Sequence, residues 1–289
     1  MKKIGCIGLG IMGSRMALNL QKAGYPLLIY NRTKEKAQDL ISNGATWVNT
    51  PKEIGEQADT VITMLSTPQA VKEVATGENG LLHGMKKNSL WINSSTVNPS
   101  FTKEMETVAK SYQIRYLDAP VAGTKGPAEK GELVFLIGGD LENVKEATPL
   151  FEILGKKTLH LGGIGKGATM KMLINQLLAQ SMAAFAETLV MGEAMGLEKE
   201  ILFNVLLNTP VVAPIVTAIR PKIENEDYEA NFPLKWIQKD LHLSAISAYE
   251  YGIATPSLNT TKEIFAQAKQ YGFGDQDFTA VYKYINLKK

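Results

Sequence analysis

The sequence predicts an α/β domain followed by an all-helical domain, with a long helix between them. Three observations carry this. Short apolar runs alternate with amphipathic or charged segments through the first half of the chain, which is the signature of a parallel sheet with helices on both faces. A glycine-rich turn follows the first of those runs directly. Past the Gly162-Gly163 pair, strand signals stop and helical periodicity takes over. The boundary is drawn there, giving domains 1–163 and 164–289.

The expected strands, in order, are 3–7, 27–30, 60–65, 89–93, 115–121 and 133–138, each a short apolar run. The segments between them include 33–42 (TKEKAQDLIS), 68–75 and 98–110, which are amphipathic or charged and read as helices. A further apolar piece, 158–161, would end the domain. The second half then reads as helices at about 166–195, 198–208, 212–222, 234–251 and 257–271. The first of these would be about 45 Å long at the rise of an α-helix. It is apolar almost all round, so it belongs in the core of the helical domain or in a subunit interface.

Composition narrows the function. Of the 289 residues 45% are hydrophobic and 21% charged, an ordinary soluble globular balance. A formal net charge of +2 gives no reason to expect nucleic acid or an anionic membrane as partner. The single cysteine, Cys6, allows no disulfide within the chain and fits a reducing, cytoplasmic setting. His83, His160 and His242 are scattered and form no metal-ligand spacing, so no metal is expected. The opening MKKIGCIGLGIMG is basic then apolar, but four glycines break it, and it reads as a strand entering a turn rather than a signal peptide. The apolar stretch after Lys171 contains Asn175, Gln176, Gln180, Ser181 and Glu187, too polar for a membrane span.

The turn Gly8-Leu9-Gly10-Ile11-Met12-Gly13 has G-x-G-x-x-G spacing between a strand and a helix. That context marks a Rossmann-like dinucleotide-binding domain. Gly8 permits the tight turn, Gly10 lets the backbone approach a pyrophosphate, and Gly13 lets the helix pack on the strand. The second strand ends in Asn31, Arg32 and Thr33, where an acid would accept from a ribose 2′-hydroxyl. A guanidinium there grips a 2′-phosphate instead, so the expected cofactor is NADP(H) in preference to NAD(H). The alternative is a solvated helix start. Two later strand ends reach the same side of the sheet. Leu65 and Ser66 in MLSTP would line the nicotinamide half, and NSST supplies the hydroxyls of Ser94, Ser95 and Thr96. Those hydroxyls read equally as caps for the helix that follows Asn98-Pro99.

Three stretches hold the candidate chemistry. DAPVAGTKGPAEKGEL (118–133) is rich in glycine and proline, so its amides are either a carboxylate cradle or those of a surface turn. Lys171 stands in the long apolar helix with Asn175 one turn on, on the same face. Burial lowers an amine's pKa and suits it to proton transfer. Lys171 reads as a proton donor with Asn175 its positioner, or else as a snorkelling lysine beside a structural amide. FPLKWIQKDLHL (232–243) carries Lys239 and Asp240, which by spacing read as a surface ion pair.

Taken together, GLGIMG, DAPVAGTKGPAEKGEL, GKGATMKMLINQ (165–176) and FPLKWIQKDL resemble, in order and over essentially the whole chain, the β-hydroxyacid dehydrogenase family of the 3-hydroxyisobutyrate dehydrogenase type. KGPAEKGEL, FPLKWIQKDL and NRT look closest to its glyoxylate/succinic semialdehyde reductase branch. The resemblance implies a Rossmann-like domain followed by a helical one, in a homodimer or homotetramer. It matches Lys171 to the catalytic lysine and Asn175 to its companion. Thr96 falls at the nicotinamide and the substrate, Lys239 at the cofactor, and Phe232 and Asp240 at the substrate pocket. The implied reaction is reduction of a small carboxylate-bearing aldehyde to a hydroxy acid, with hydride from NADPH and a proton from Lys171. The alternatives are a 3-hydroxyisobutyrate or tartronate semialdehyde type dehydrogenase, or a catalytically weak NADP-binding interaction module. Two positions depart from the family. Ala122 stands where the substrate loop carries serine, leaving the amides of Ala122, Gly123 and Thr124 to hold a carboxylate. Gln176 stands where many members have a second asparagine.

Overall fold

The computed structural model describes residues 2–287. The chain divides into two compact units, one ending at Lys171 and one beginning at Met172.

The first unit runs β1 (Ile4–Ile7), α1 (Gly13–Lys22), β2 (Leu27–Tyr30), α2 (Gln38–Ser42), β3 (Thr46–Trp47), α3 (Pro51–Gln57), β4 (Thr60–Thr63), α4 (Pro68–Thr76), β5 (Leu90–Asn93), α5 (Pro99–Ser111) and β6 (Arg115–Asp118). These six strands form one parallel sheet in the order β3-β2-β1-β4-β5-β6. Alternate residues of each strand enter different cores, as a period of two requires. Ile4, Cys6, Leu27, Ile29, Ile62, Leu90, Ile92 and Leu117 pack on the side of Met16, Ala17 and Leu20 from α1. Ile7, Leu28, Val61, Trp91 and Tyr116 pack on the side of Ile54, Val71 and Met105 from α3, α4 and α5. Because both faces are covered, the strands read as unbroken apolar runs rather than alternating ones. Each large side chain fully buried here contributes roughly 1.5–3 kcal/mol.

The rest of the unit differs from the expectation. The run at 133–138 does not extend the parallel sheet. β7 (Val121–Ala122), α6 (Lys125–Lys130), β8 (Leu133–Ile137), α7 (Leu141–Leu154) and β9 (Gly155–His160) build a separate three-stranded sheet in the order β7-β8-β9. β7 is antiparallel to β8, and β9 is parallel to it. The 118–133 stretch is thus a strand followed by a short helix, not an irregular loop.

α8 (Lys166–Ala194) carries the chain out of the first unit, and the division falls inside it. α9 (Lys199–Leu206), α10 (Pro214–Glu224), α11 (Leu234–Glu250), α12 (Pro256–Ala268) and α13 (Val281–Ile285) complete the second unit. The described residues there form no strand, apart from an isolated bridge between Pro233 and Asp277. Met172, Asn175, Ala179, Met182, Ala186 and Leu189 make one buried stripe along α8 at helical spacing. Leu173, Leu177, Met191 and Met195 lie outside that stripe and are exposed. Among the described residues no helix is long and apolar enough to cross a membrane.

Candidate active site

The glycine turn is built as a cradle. Gly8 takes a φ of +93°, and a Cβ on it would lie 2.3 Å from the carbonyl oxygen of Met64. A Cβ on Gly13 would lie 1.9 Å from the carbonyl oxygen of Gly8. Both close approaches need glycine. Gly10 is different: a Cβ there would meet nothing within 4 Å, so the backbone faces open space where a ligand can approach. α1 begins at Gly13 with no side chain capping it and no acidic residue in its first turn. The Ser14 N–H donates to the Gly10 carbonyl and the Arg15 N–H to the Met12 carbonyl, so what this helix start offers an anion is its dipole and the glycine turn that precedes it. Leu9 is buried, while Ile11 and Met12 are half-buried along the turn.

Asn31 ties this turn to the end of β2. Its Oδ1 accepts from the Leu9 N–H at 3.0 Å and its Nδ2 donates to the Thr33 carbonyl at 2.8 Å. No acid stands at 31–33, and Arg32 and Thr33 are exposed. The Lys34 ammonium sits 5.4 Å over the Trp47 ring, which stacks on Tyr30. Neutral and cationic groups thus surround the place where a ribose-binding acid would stand.

A buried polar network underlies the ends of β4, β5 and β6. Thr63 Oγ1 donates to Asn93 Oδ1 at 3.0 Å and accepts from Trp91 Nε1 at 2.9 Å, while Asn93 Nδ2 donates to the Tyr116 hydroxyl at 3.0 Å. The Asn93 Oδ1 also accepts from the Ser95 N–H, and Ser95 Oγ accepts from the Leu65 N–H at 2.9 Å. Ser95 therefore joins the 64–67 segment, with exposed Ser66, to the segment bearing half-buried Thr96. It does not cap α5. The N-cap there is Asn98, whose Nδ2 donates to Ser100 Oγ.

The proposed carboxylate loop is only partly available. Asp118 and Gly138 exchange both amide bonds, and the Leu136 N–H donates to the Pro120 carbonyl. The next hydrogen-bonded register in this antiparallel alternation is Ala122 opposite Val134. The Ala122 amide is thereby spent on the sheet. Gly123 turns the chain at a φ of +122° and Thr124 leads into α6, so the amides past the ladder are those two.

Asp118 is the group that sequence reasoning passed over. It is 1% exposed, and its carboxylate accepts from the Gly165 N–H at 3.0 Å and the Ala168 N–H at 2.8 Å. Burial pushes its carboxyl up to about 6, against the pull of those backbone bonds. Lys171, one turn beyond Ala168, is 9% exposed.

In the second unit Asn175 Nδ2 donates to Asp240 Oδ2 at 2.6 Å. Both residues are 2% exposed, so Asp240 is interior and Lys239–Asp240 is not the surface pair that spacing suggested. The Lys239 ammonium lies 2.6 Å from Asp240 Oδ1 and forms an ion pair with it. One of the two Nδ2 hydrogens goes to Asp240, so Asn175 keeps a second N–H donor and its Oδ1, and toward an amine it is the Oδ1 that can accept. Phe232 is half-buried against Phe278, and its N–H and that of Asn231 are held by Asp277 Oδ2. Asp277 also went unread. Its one local signal is Thr279 two residues on, which bonds its other oxygen.

Two family models match this chain. The NAD-binding domain of 6-phosphogluconate dehydrogenase matches residues 3–162, and the NAD-binding domain of NADP-dependent 3-hydroxyisobutyrate dehydrogenase matches residues 165–285. Glyoxylate/succinic semialdehyde reductase 2, chloroplastic, of Arabidopsis thaliana is 36% identical over 99% of the chain and 80% of its own length. Glyoxylate/succinic semialdehyde reductase 1 of the same plant is 33% identical over 99% of both. Among solved structures, Mycobacterium tuberculosis 3-hydroxyisobutyrate dehydrogenase with L-serine superposes with a TM-score of 0.90 at 29% identity, covering 99% of this chain and 100% of that one.

Proposed function

The chain belongs to the β-hydroxyacid dehydrogenase family of NAD(P)-dependent oxidoreductases acting on CH–OH groups, and from that premise we propose that it reduces small aldehyde acids to hydroxy acids with NADPH. The observation that carries this reading is a buried lysine, Lys171, in the same compact unit as the dinucleotide cradle. The names of the two plant reductases support the substrate class.

When bound, the dinucleotide supplies the hydride for the carbonyl carbon. Gly8 to Gly13 and the first turn of α1 hold its pyrophosphate. Asn31, Arg32 and Thr33 hold the adenosine end, and Leu65, Ser66 and Thr96 hold the remainder. Lys171, protonated, hydrogen-bonds the substrate carbonyl oxygen and gives it a proton as negative charge builds there. Thr96 and the amides of Gly123 and Thr124 bind the carboxylate. Ala122 contributes its small methyl group in place of a hydroxyl, which widens the pocket. Asn175 presents Oδ1 to the amine, and Asp240 holds that amide in place. The exposed apolar side chains of α8 support a homodimer or homotetramer.

The test is NADPH oxidation against glyoxylate, succinic semialdehyde, tartronate semialdehyde and methylmalonate semialdehyde, with NADH in parallel. Turnover of at least one acid, faster with NADPH, is expected. Silence across the panel would sink the reading, and a preference for NADH would sink its cofactor half. Arg32→Glu is expected to lower kcat/KM with NADPH by about tenfold to a hundredfold, the worth of a hydrogen bond to a charged group. It should change NADH kinetics far less. Equal losses with both cofactors would show that Arg32 does not read the 2′-phosphate.

A further inference from the structure

We propose that Asp118 is a positioning residue for the reaction: it fixes the first turn of α8 and thereby the place of Lys171. This rests on the reading of Lys171 as the proton donor.

The geometry is specific. The first amides of a helix have no partner within it. Here both oxygens of one carboxylate take them, Oδ1 from Gly165 and Oδ2 from Ala168. The negative charge also faces the positive end of the α8 dipole. Ala168 and Lys171 are three residues apart, on one face of the helix. The helix is drawn in so closely that a Cβ on Gly167 would lie 2.3 Å from the Leu136 carbonyl oxygen and 2.9 Å from Asp118 Oδ2.

The anchor itself is rigid. Asp118 ends β6 in register with Asn93 of β5, and its main chain exchanges two bonds with Gly138. Asn93 is the hub of the network beneath Ser95, next to Thr96. One fixed point therefore serves both the helix carrying the amine and the strand end assigned to the nicotinamide. Desolvating a carboxylate is costly, and here the cost secures two main-chain amides of a single turn.

The experiment combines amide hydrogen exchange with kinetics on D118N, which keeps the shape of the side chain but turns one acceptor into a donor facing an N–H. In the wild type the Gly165 and Ala168 amides are expected to be protected, unlike ordinary first-turn amides. In D118N, exchange over 165–171 should quicken by about tenfold to a hundredfold. At temperatures well below melting, kcat should fall by a similar factor while the NADPH dissociation constant stays within about threefold. A purely structural role would lower the melting temperature and leave kcat of the folded enzyme intact, and that result overturns the proposal. Fast exchange of the two amides in the wild type also overturns it, with no variant needed. If the wild type reduces none of the acids, it is the functional reading that fails, and the exchange data still decide whether Asp118 holds the helix start.

Discussion

Lys171→Ala is expected to lose about 10²–10⁴-fold in kcat, the usual worth of a positioned general acid, while NADPH still binds. The hydrogen bonds that shape the cradle run from Asn31 to Leu9 and Thr33. Dinucleotide affinity should therefore change little. The loss falls in kcat because the ammonium's interaction with the carbonyl oxygen strengthens as that oxygen gains charge. Fluorescence titration of NADPH, a melting curve and steady-state kinetics together check this. A variant that binds poorly or melts early would place Lys171 in the scaffold instead.

The second large effect is expected at Gly10. A Cβ there meets no protein atom within 4 Å, so Gly10→Ala should fold and melt like the wild type. The methyl group would occupy space that the pyrophosphate needs, and NADPH affinity should fall by at least about a hundredfold as backbone contacts to a charged group are lost. Gly13→Ala gives the contrast. Its Cβ would be driven to 1.9 Å from the Gly8 carbonyl oxygen, which no rotamer relieves. Stability and affinity should fall together there. Calorimetric titration beside thermal melting separates the two, and a Gly10→Ala protein that binds normally would remove the turn from the cofactor site.

The parts of this fold that the sequence makes legible are those set by burial alone. β1, β2, β4, β5 and β6 are covered on both faces and stand out as apolar runs. The long helix stands out because few breakers interrupt it before Gly196. What escapes is structure made by pairing rather than composition. β7 is two residues long, and β9 reads GKKTLH with Lys156 and Lys157 exposed, so neither looks like a strand until β8 lies between them. α6 is KGPAEK, whose glycine and proline read as a loop. β3 is two residues at the sheet edge, Thr46 exposed and Trp47 half-buried.

The site divides in the same way. The glycine turn is legible because each glycine answers a local steric demand. Lys171 and Asn175 are legible because polar groups stand out on an apolar helix. Asp118 is not, since nothing local says that a strand-end acid will receive amides from residues 165 and 168. Asp240 misleads for a related reason. Adjacent residues on a helix do not share a face, so Lys239 stays partly exposed while Asp240 turns inward to Asn175.

The central claim is that the Lys171 ammonium protonates the carbonyl oxygen while hydride arrives at its carbon. A single-turnover stopped-flow measurement tests it most directly, mixing the NADPH-loaded Lys171→Ala enzyme with the best aldehyde acid from the panel. The account predicts that cofactor fluorescence stays at its bound level over the time in which the wild type completes its turnover. Decay at the wild-type rate would contradict it.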